Sequence, residues 1–114
     1  KHATRDPRAV GAATALEMAT LGGARALGMD DRIGSLEAGK LADLITVRMD
    51  RTRQTPLYDP ISHLVYTTRG DDVDTTIVHG RVLMRGRVVR TFDGAAVRAE
   101  ARAAADQVRA AVKK

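Results

Sequence analysis

With 114 residues, 44% of them hydrophobic and 29% charged, the chain has the make-up of one small globular domain. The lack of cysteine excludes disulfides, thiolate metal sites and cysteine nucleophiles, and fits a cytoplasmic protein. The net charge of +5 comes from 19 basic residues scattered among 14 acidic ones, which argues against nucleic acid as a partner, and no apolar run approaches the ~20 residues of a membrane span.

Asp6-Pro7 reads as a helix start, an acceptor at the cap followed by proline in the first turn. The Ala-rich run Arg8 to Ala19 continues it, with so few polar residues that burial on more than one side is expected. Gly22-Gly23 is expected to interrupt this helix, and Thr20 to cap a second short one that ends at Gly28. Ile33 to Leu36 reads as a short extended piece, Glu37 to Lys40 as a turn, and Ala42 to Val47 as a strand. A polar loop from Asp50 to Pro56 follows, with Arg48, Arg51 and Arg53 close by. Asp59-Pro60 then opens one or two helical turns carrying Ile61, Leu64 and Val65.

The next stretch has the pattern of a β-meander. Val73 to Val78 forms its first strand, His79-Gly80 a two-residue turn, and Arg81 to Met84 the return. Arg85-Gly86 is expected to turn again into a third strand, Arg87 to Arg90. Thr91 or Asp93 caps a last helix, Gly94 to Val112, on which Val97, Ala101, Ala104, Val108 and Ala111 line one narrow stripe. Phe92, Tyr58 and Tyr66 are the only aromatic residues. A core built mainly of alanine and aliphatic side chains buries little area per residue, so the chain is expected to be marginal alone or to pack against something larger.

Residues able to do chemistry are sparse. The histidines His2, His63 and His79 are far apart and form neither a His-x-His pair nor a His-Glu-x-x-His motif. His63 reads as a packed or capped histidine, and His79 as a solvent-facing turn residue. The paired acids Asp30-Asp31 and Asp71-Asp72 follow turn-forming sequence and read as solvated turn residues. Ser35 and Ser62 lack a nucleophile elbow, and Gly22-Gly23 belongs to no phosphate loop. Asp43 reads as a residue that caps or orients the approach to its strand rather than one that binds metal. No catalytic, cofactor-binding or metal-ligating residue is assigned on this chain.

Three passages carry a resemblance. The first joins Met18-Ala19-Thr20, Gly22-Gly23-Ala24 and Ala26-Leu27-Gly28 to Ile33-Gly34-Ser35-Leu36, Gly39-Lys40 and Ala42-Asp43-Leu44. This passage resembles the C-terminal end of amidohydrolase-superfamily enzymes. The second, Pro56 to Tyr66, looks like the branch that deaminates S-adenosylhomocysteine, 5′-methylthioadenosine and related aminated purines, together with the s-triazine chlorohydrolases. The third, Val78 to Val89, is similar to the last strands of that family, with His79 where the branch often has Asp or Asn.

The resemblance implies an α/β architecture, α+β in the isolated chain, in three parts. Residues 1–30 would be the last helical layer of a (β/α)8 barrel, residues 31–92 strands of the small β-sandwich beside it, and residues 93–114 a C-terminal helix. It implies a divalent metal, zinc or iron, in the full-length enzyme and none on this chain, whose Lys1 would fall just after the eighth barrel strand. The expected partner is then the missing N-terminal barrel, or a second copy of the chain through an open sheet edge. The alternative is a non-catalytic basic module that uses Arg98, Arg102 and Arg109 to contact nucleic acid or an acidic protein.

Overall fold

The computed structural model describes residues 9–112, so the Asp6-Pro7 helix start and His2 lie outside the described residues. Helix α1 (Ala12–Glu17) runs through a π turn (Met18–Gly22) into α2 (Gly23–Ala26) without a break. Gly22-Gly23 therefore does not interrupt the helix, as the sequence had suggested. The π turn absorbs the glycines, and a Cβ on Gly22 would meet the Glu17 carbonyl oxygen at 3.2 Å. Thr20 is not a cap either. Inside the helix its hydroxyl donates back to the Leu16 carbonyl at 2.8 Å. The end at Gly28 is as expected: Met29 N–H donates to Ala24 O and Gly28 N–H to Arg25 O, a Schellman closure.

Ile33 to Leu36 is not extended strand but a bend laid against this helix. Strand β1 (Leu44–Val47) is followed by a 3₁₀ turn (Thr52–Gln54), helix α3 (Pro60–Tyr66) and a second 3₁₀ turn (Gly70–Asp72). Asp59 caps α3 by accepting from Ile61 N–H at 3.1 Å and Ser62 N–H at 3.3 Å, with Pro60 in the first turn. The Ser62 hydroxyl also donates to Asp59, and this bond leads the interactions that lower the Asp59 pKa. Helix α1 packs on α3.

Strands β2 (Val73–Val78), β3 (Arg81–Arg85) and β4 (Val88–Val89) complete an antiparallel sheet of order β1-β2-β3-β4. Leu44 pairs with Ile77 and Thr46 with Thr75, and a bulge lies between Thr46 and Val47. The first hairpin turns through His79 (φ 53°) and Gly80 (φ 74°), as expected. The second turns one residue later than expected, through Gly86 (φ 57°) and Arg87 (φ 66°), with Arg85 paired to Val88. Arg87 holds that left-handed conformation because its guanidinium donates to the Gly70 and Val73 carbonyls, both at 3.0 Å.

Asp93 rather than Thr91 caps helix α4 (Gly94–Val112), accepting from Ala95 N–H at 2.8 Å. No residue of α4 is buried. Among the described residues Ala24, 3% exposed, is the one buried apolar side chain. The expectation that the first helix is buried on more than one side therefore fails within this chain, because nothing here covers its outer faces. The radius of gyration is 19.8 Å, against about 13 Å for a compact domain of this length. No helix among the described residues is long and apolar enough to cross a membrane.

Candidate functional site

The segment from Gly28 to Asp43 is an anchored loop. Gly34, at φ 90°, lies so close to the helix that an added Cβ would sit 2.7 Å from the Ala24 Cβ and 3.0 Å from the Leu21 Cα. Lys40 closes the loop by donating to the Asp30 carbonyl at 2.6 Å and the Ser35 hydroxyl at 2.7 Å. The Ser35 hydroxyl in turn donates to Glu37, and with the Lys40 charge this keeps the Glu37 carboxyl below its usual range. Ser35 is thus a structural hydroxyl. Leu41 N–H donates to Arg32 O at 2.8 Å and directs the chain into the sheet.

Asp43 has the orienting role expected of it. Its carboxylate accepts from His79 N–H, while Gly80 N–H donates to Ala42 O at 3.1 Å, so the β2–β3 turn is tied to the start of β1. His79 is exposed, as expected. His63 is half-buried, with Nδ1 2.9 Å from the Asp59 carbonyl. Its own carbonyl accepts from the backbone and hydroxyl groups of Thr67 and Thr68, which finishes α3. The ring nitrogen held on the Asp59 carbonyl matches the capped histidine, one of the two readings expected.

One expectation is overturned. Asp71 is exposed, but Asp72 is wholly buried. Its carboxylate accepts from Arg69 N–H at 2.9 Å and from Arg53 Nη2, which reaches both oxygens, at 2.6 Å on Oδ1. Arg51 approaches to 3.7 Å. The Arg69 bond leads, and the arginines add to it, in holding the Asp72 carboxyl below the ordinary range against the opposing effect of burial. Gln54, also wholly buried, donates to Asp72, to Thr68 Oγ1 and to the Arg48 carbonyl, and accepts from Arg51 N–H at 3.2 Å. Gln54 went unnoticed in the sequence because the turn-forming residues around it read as a solvated loop. Among the described residues every buried side-chain polar atom has a partner. The buried part of the cluster is a fully paired structural network.

Between the helical segment and the β1–β2 face lies an open apolar cleft of about 750 Å³, lined by Leu16, Leu27, Ile33, Leu36, Ile45 and Val78 among others. Leu27 and Leu36 are 70% and 75% exposed. Apolar surface of this kind marks a place where further chain or a partner packs. Among the described residues no group of three or more His, Asp or Glu side chains is arranged to hold a metal ion, so the donors present do not fit one.

Residues 1–83 match the model of the amidohydrolase family. The chain is 53% identical over 93 residues to the 5-methylthioadenosine/S-adenosylhomocysteine deaminase of Syntrophobacter fumaroxidans, covering 82% of this chain and 21% of that protein. It is 47% identical to the 5′-deoxyadenosine deaminase of Methanosarcina acetivorans, covering 95% and 24%. Among solved structures, an adenosine deaminase from Xanthomonas campestris with bound zinc superposes with a TM-score of 0.85 at 41% identity, over 96% of this chain and 25% of that one. The atrazine chlorohydrolase TrzN from Arthrobacter aurescens, complexed with zinc, gives a TM-score of 0.72 at 32% identity, over 82% and 20%. The chain thus spans about a fifth to a quarter of the length of these proteins.

Proposed function

Since the chain belongs to the amidohydrolase family, we propose that it is the C-terminal portion of a metal-dependent enzyme that hydrolyses carbon–nitrogen bonds and deaminates adenosine-like substrates. The observation that carries this reading is the match over 96% of the chain, at 41% identity, to a solved adenosine deaminase. In this reading residues 1–30 belong to the last helical layer of the barrel, residues 31–92 to the accompanying sandwich, and residues 93–114 to a C-terminal helix. The enzyme is cytoplasmic, and its metal is zinc or iron.

The metal ligands and catalytic groups lie elsewhere in the polypeptide. The chemistry-bearing residues described here are committed to other bonds: Ser35 to Glu37 and Lys40, Asp43 to His79, His63 to its own helix, Asp72 to Arg53. A bound metal would supply a hydroxide able to attack the substrate carbon. This chain packs beside the part that carries that chemistry, and the barrel is its partner, received by the cleft of about 750 Å³.

The test is to assay the complete polypeptide and this chain alone for ammonia release from S-adenosylhomocysteine, 5′-methylthioadenosine and adenosine. The complete polypeptide is expected to be active and the chain alone inert. Turnover by the chain alone, or none by the metal-loaded complete polypeptide, overturns the reading. The free outer edge of β1 and the open cleft further predict that the isolated chain self-associates. Light scattering on a size-exclusion column is expected to give a mass above that of one chain, and a stable monomer at high dilution contradicts the open-edge argument.

A further inference from the structure

Helix α4 is 19 residues long and has no buried residue. Its residues Val97, Ala101, Ala104 and Val108 recur at alternating spacings of four and three and so share one face. Val97 is 48% and Val108 63% exposed, and Phe92, in the segment leading into the helix, is also exposed. The opposite face carries Ala99 and Asp106, the latter paired with Arg109 at 3.5 Å. An exposed valine stripe beside Arg98, Glu100, Arg102 and Arg109 on a helix in water indicates a surface that is covered in the finished molecule.

We infer that the Val97–Val108 face of α4 docks against the part of the same polypeptide that lies outside this chain, as a clasp holding the C-terminal unit to the barrel. This rests on the reading that the chain is a portion of a longer deaminase. Two observations favour that occupant over a second copy. The match to the solved deaminase covers 96% of the chain, too much to leave α4 out, so a longer enzyme carries a counterpart of this helix. The stripe is also small. One face of a helix this long buries on the order of a few hundred Å², short of the roughly 800 Å² per partner of a stable complex. Docking within one polypeptide escapes the cost of association, so a small face suffices. The alanines allow the helix backbone to approach its support closely.

Arg98, Arg102 and Arg109 are trypsin sites on α4 that are cut when the helix frays, which an undocked helix does more readily. In the complete polypeptide, limited trypsinolysis is followed for wild type, for the double variant Val97→Asp/Val108→Asp, and for Ala99→Asp on the opposite face. Cleavage within α4 is expected to be slow in wild type and Ala99→Asp, and faster by on the order of tenfold per valine in the double variant, with the particle mass unchanged. Equal cleavage of wild type and the double variant overturns the inference, because the valine face then does nothing to hold α4 in place. A particle that splits into smaller ones in the double variant also overturns it, because a second subunit is then the occupant. Deaminase activity of the wild type, read in parallel, separates the two proposals. Activity with equal cleavage removes the clasp alone, whereas a protected helix without activity removes the proposed function.

Discussion

Replacing Gly34 with alanine is expected to destabilise the fold by about 3 kcal/mol, from roughly 1–3 for forced overpacking and 1–2 for a left-handed non-glycine residue. The backbone at Gly34 has φ 90°, and the new methyl would stand 2.7 Å from the Ala24 Cβ, 3.0 Å from the Leu21 Cα and 3.2 Å from the Thr20 carbonyl oxygen. Two of these three neighbours are helix backbone and cannot step aside. Ala24 is also the one buried apolar residue among those described, so the clash falls where the loop and helix meet. Thermal unfolding followed by circular dichroism measures the loss. Adding Ala24→Gly removes the methyl–methyl contact and is expected to recover part of the stability, leaving the backbone penalty. A Gly34→Ala variant as stable as wild type shows that the loop does not lie against the helix in solution.

Asp72→Asn is expected to lower the unfolding temperature by several degrees. It leaves the Arg53 guanidinium without its carboxylate and weakens the bond from Arg69 N–H inside a network that is otherwise fully paired. The effect has a defined pH dependence. The Asp72 carboxyl has its pKa lowered in the folded chain, so the unfolded chain takes up this proton first as pH falls. The stabilisation is complete above the unfolded carboxylate range, about pH 4, and disappears as pH drops through the lower folded value. The difference in stability between wild type and Asp72→Asn is therefore expected to be constant near neutrality and to shrink below about pH 4. Urea unfolding at a series of pH values reads this. A difference that stays constant down to pH 2, far below that range, rules out Asp72 as the group responsible.

Much of the local structure was legible because its signals are local. Asp59-Pro60 carries its own cap, His79-Gly80 its own turn, and Asp93 stands at the start of α4 with a bond to Ala95 N–H. The second hairpin was misplaced by one residue because its register depends on Arg87, whose left-handed conformation is held by carbonyls of Gly70 and Val73. Gly22-Gly23 was read as a break because glycine weakens an isolated helix. In the chain the π turn lets α1 face α3 while α2 faces the Gly34 loop, and those contacts outweigh propensity.

By itself the sequence determined the family, through short passages around Gly34, Lys40 and Asp43 whose spacing is fixed by the loop they build. It also determined the order of helix, meander and terminal helix. Only the tertiary structure decided which partners the polar residues take. Asp72 was one of two adjacent acids until Arg53, 19 residues away, was brought onto its carboxylate, and Gln54 was a loop residue until the same fold closed around it. Ser35, Asp43 and His63 each found a structural partner at close range. The physical reason is common to all of them. A polar side chain's role is set by the donors and acceptors that folding brings within about 3 Å, whether they lie 2 to 5 residues away, as for Ser35 and His63, or 19 and 36 residues away, as for Asp72 and Asp43.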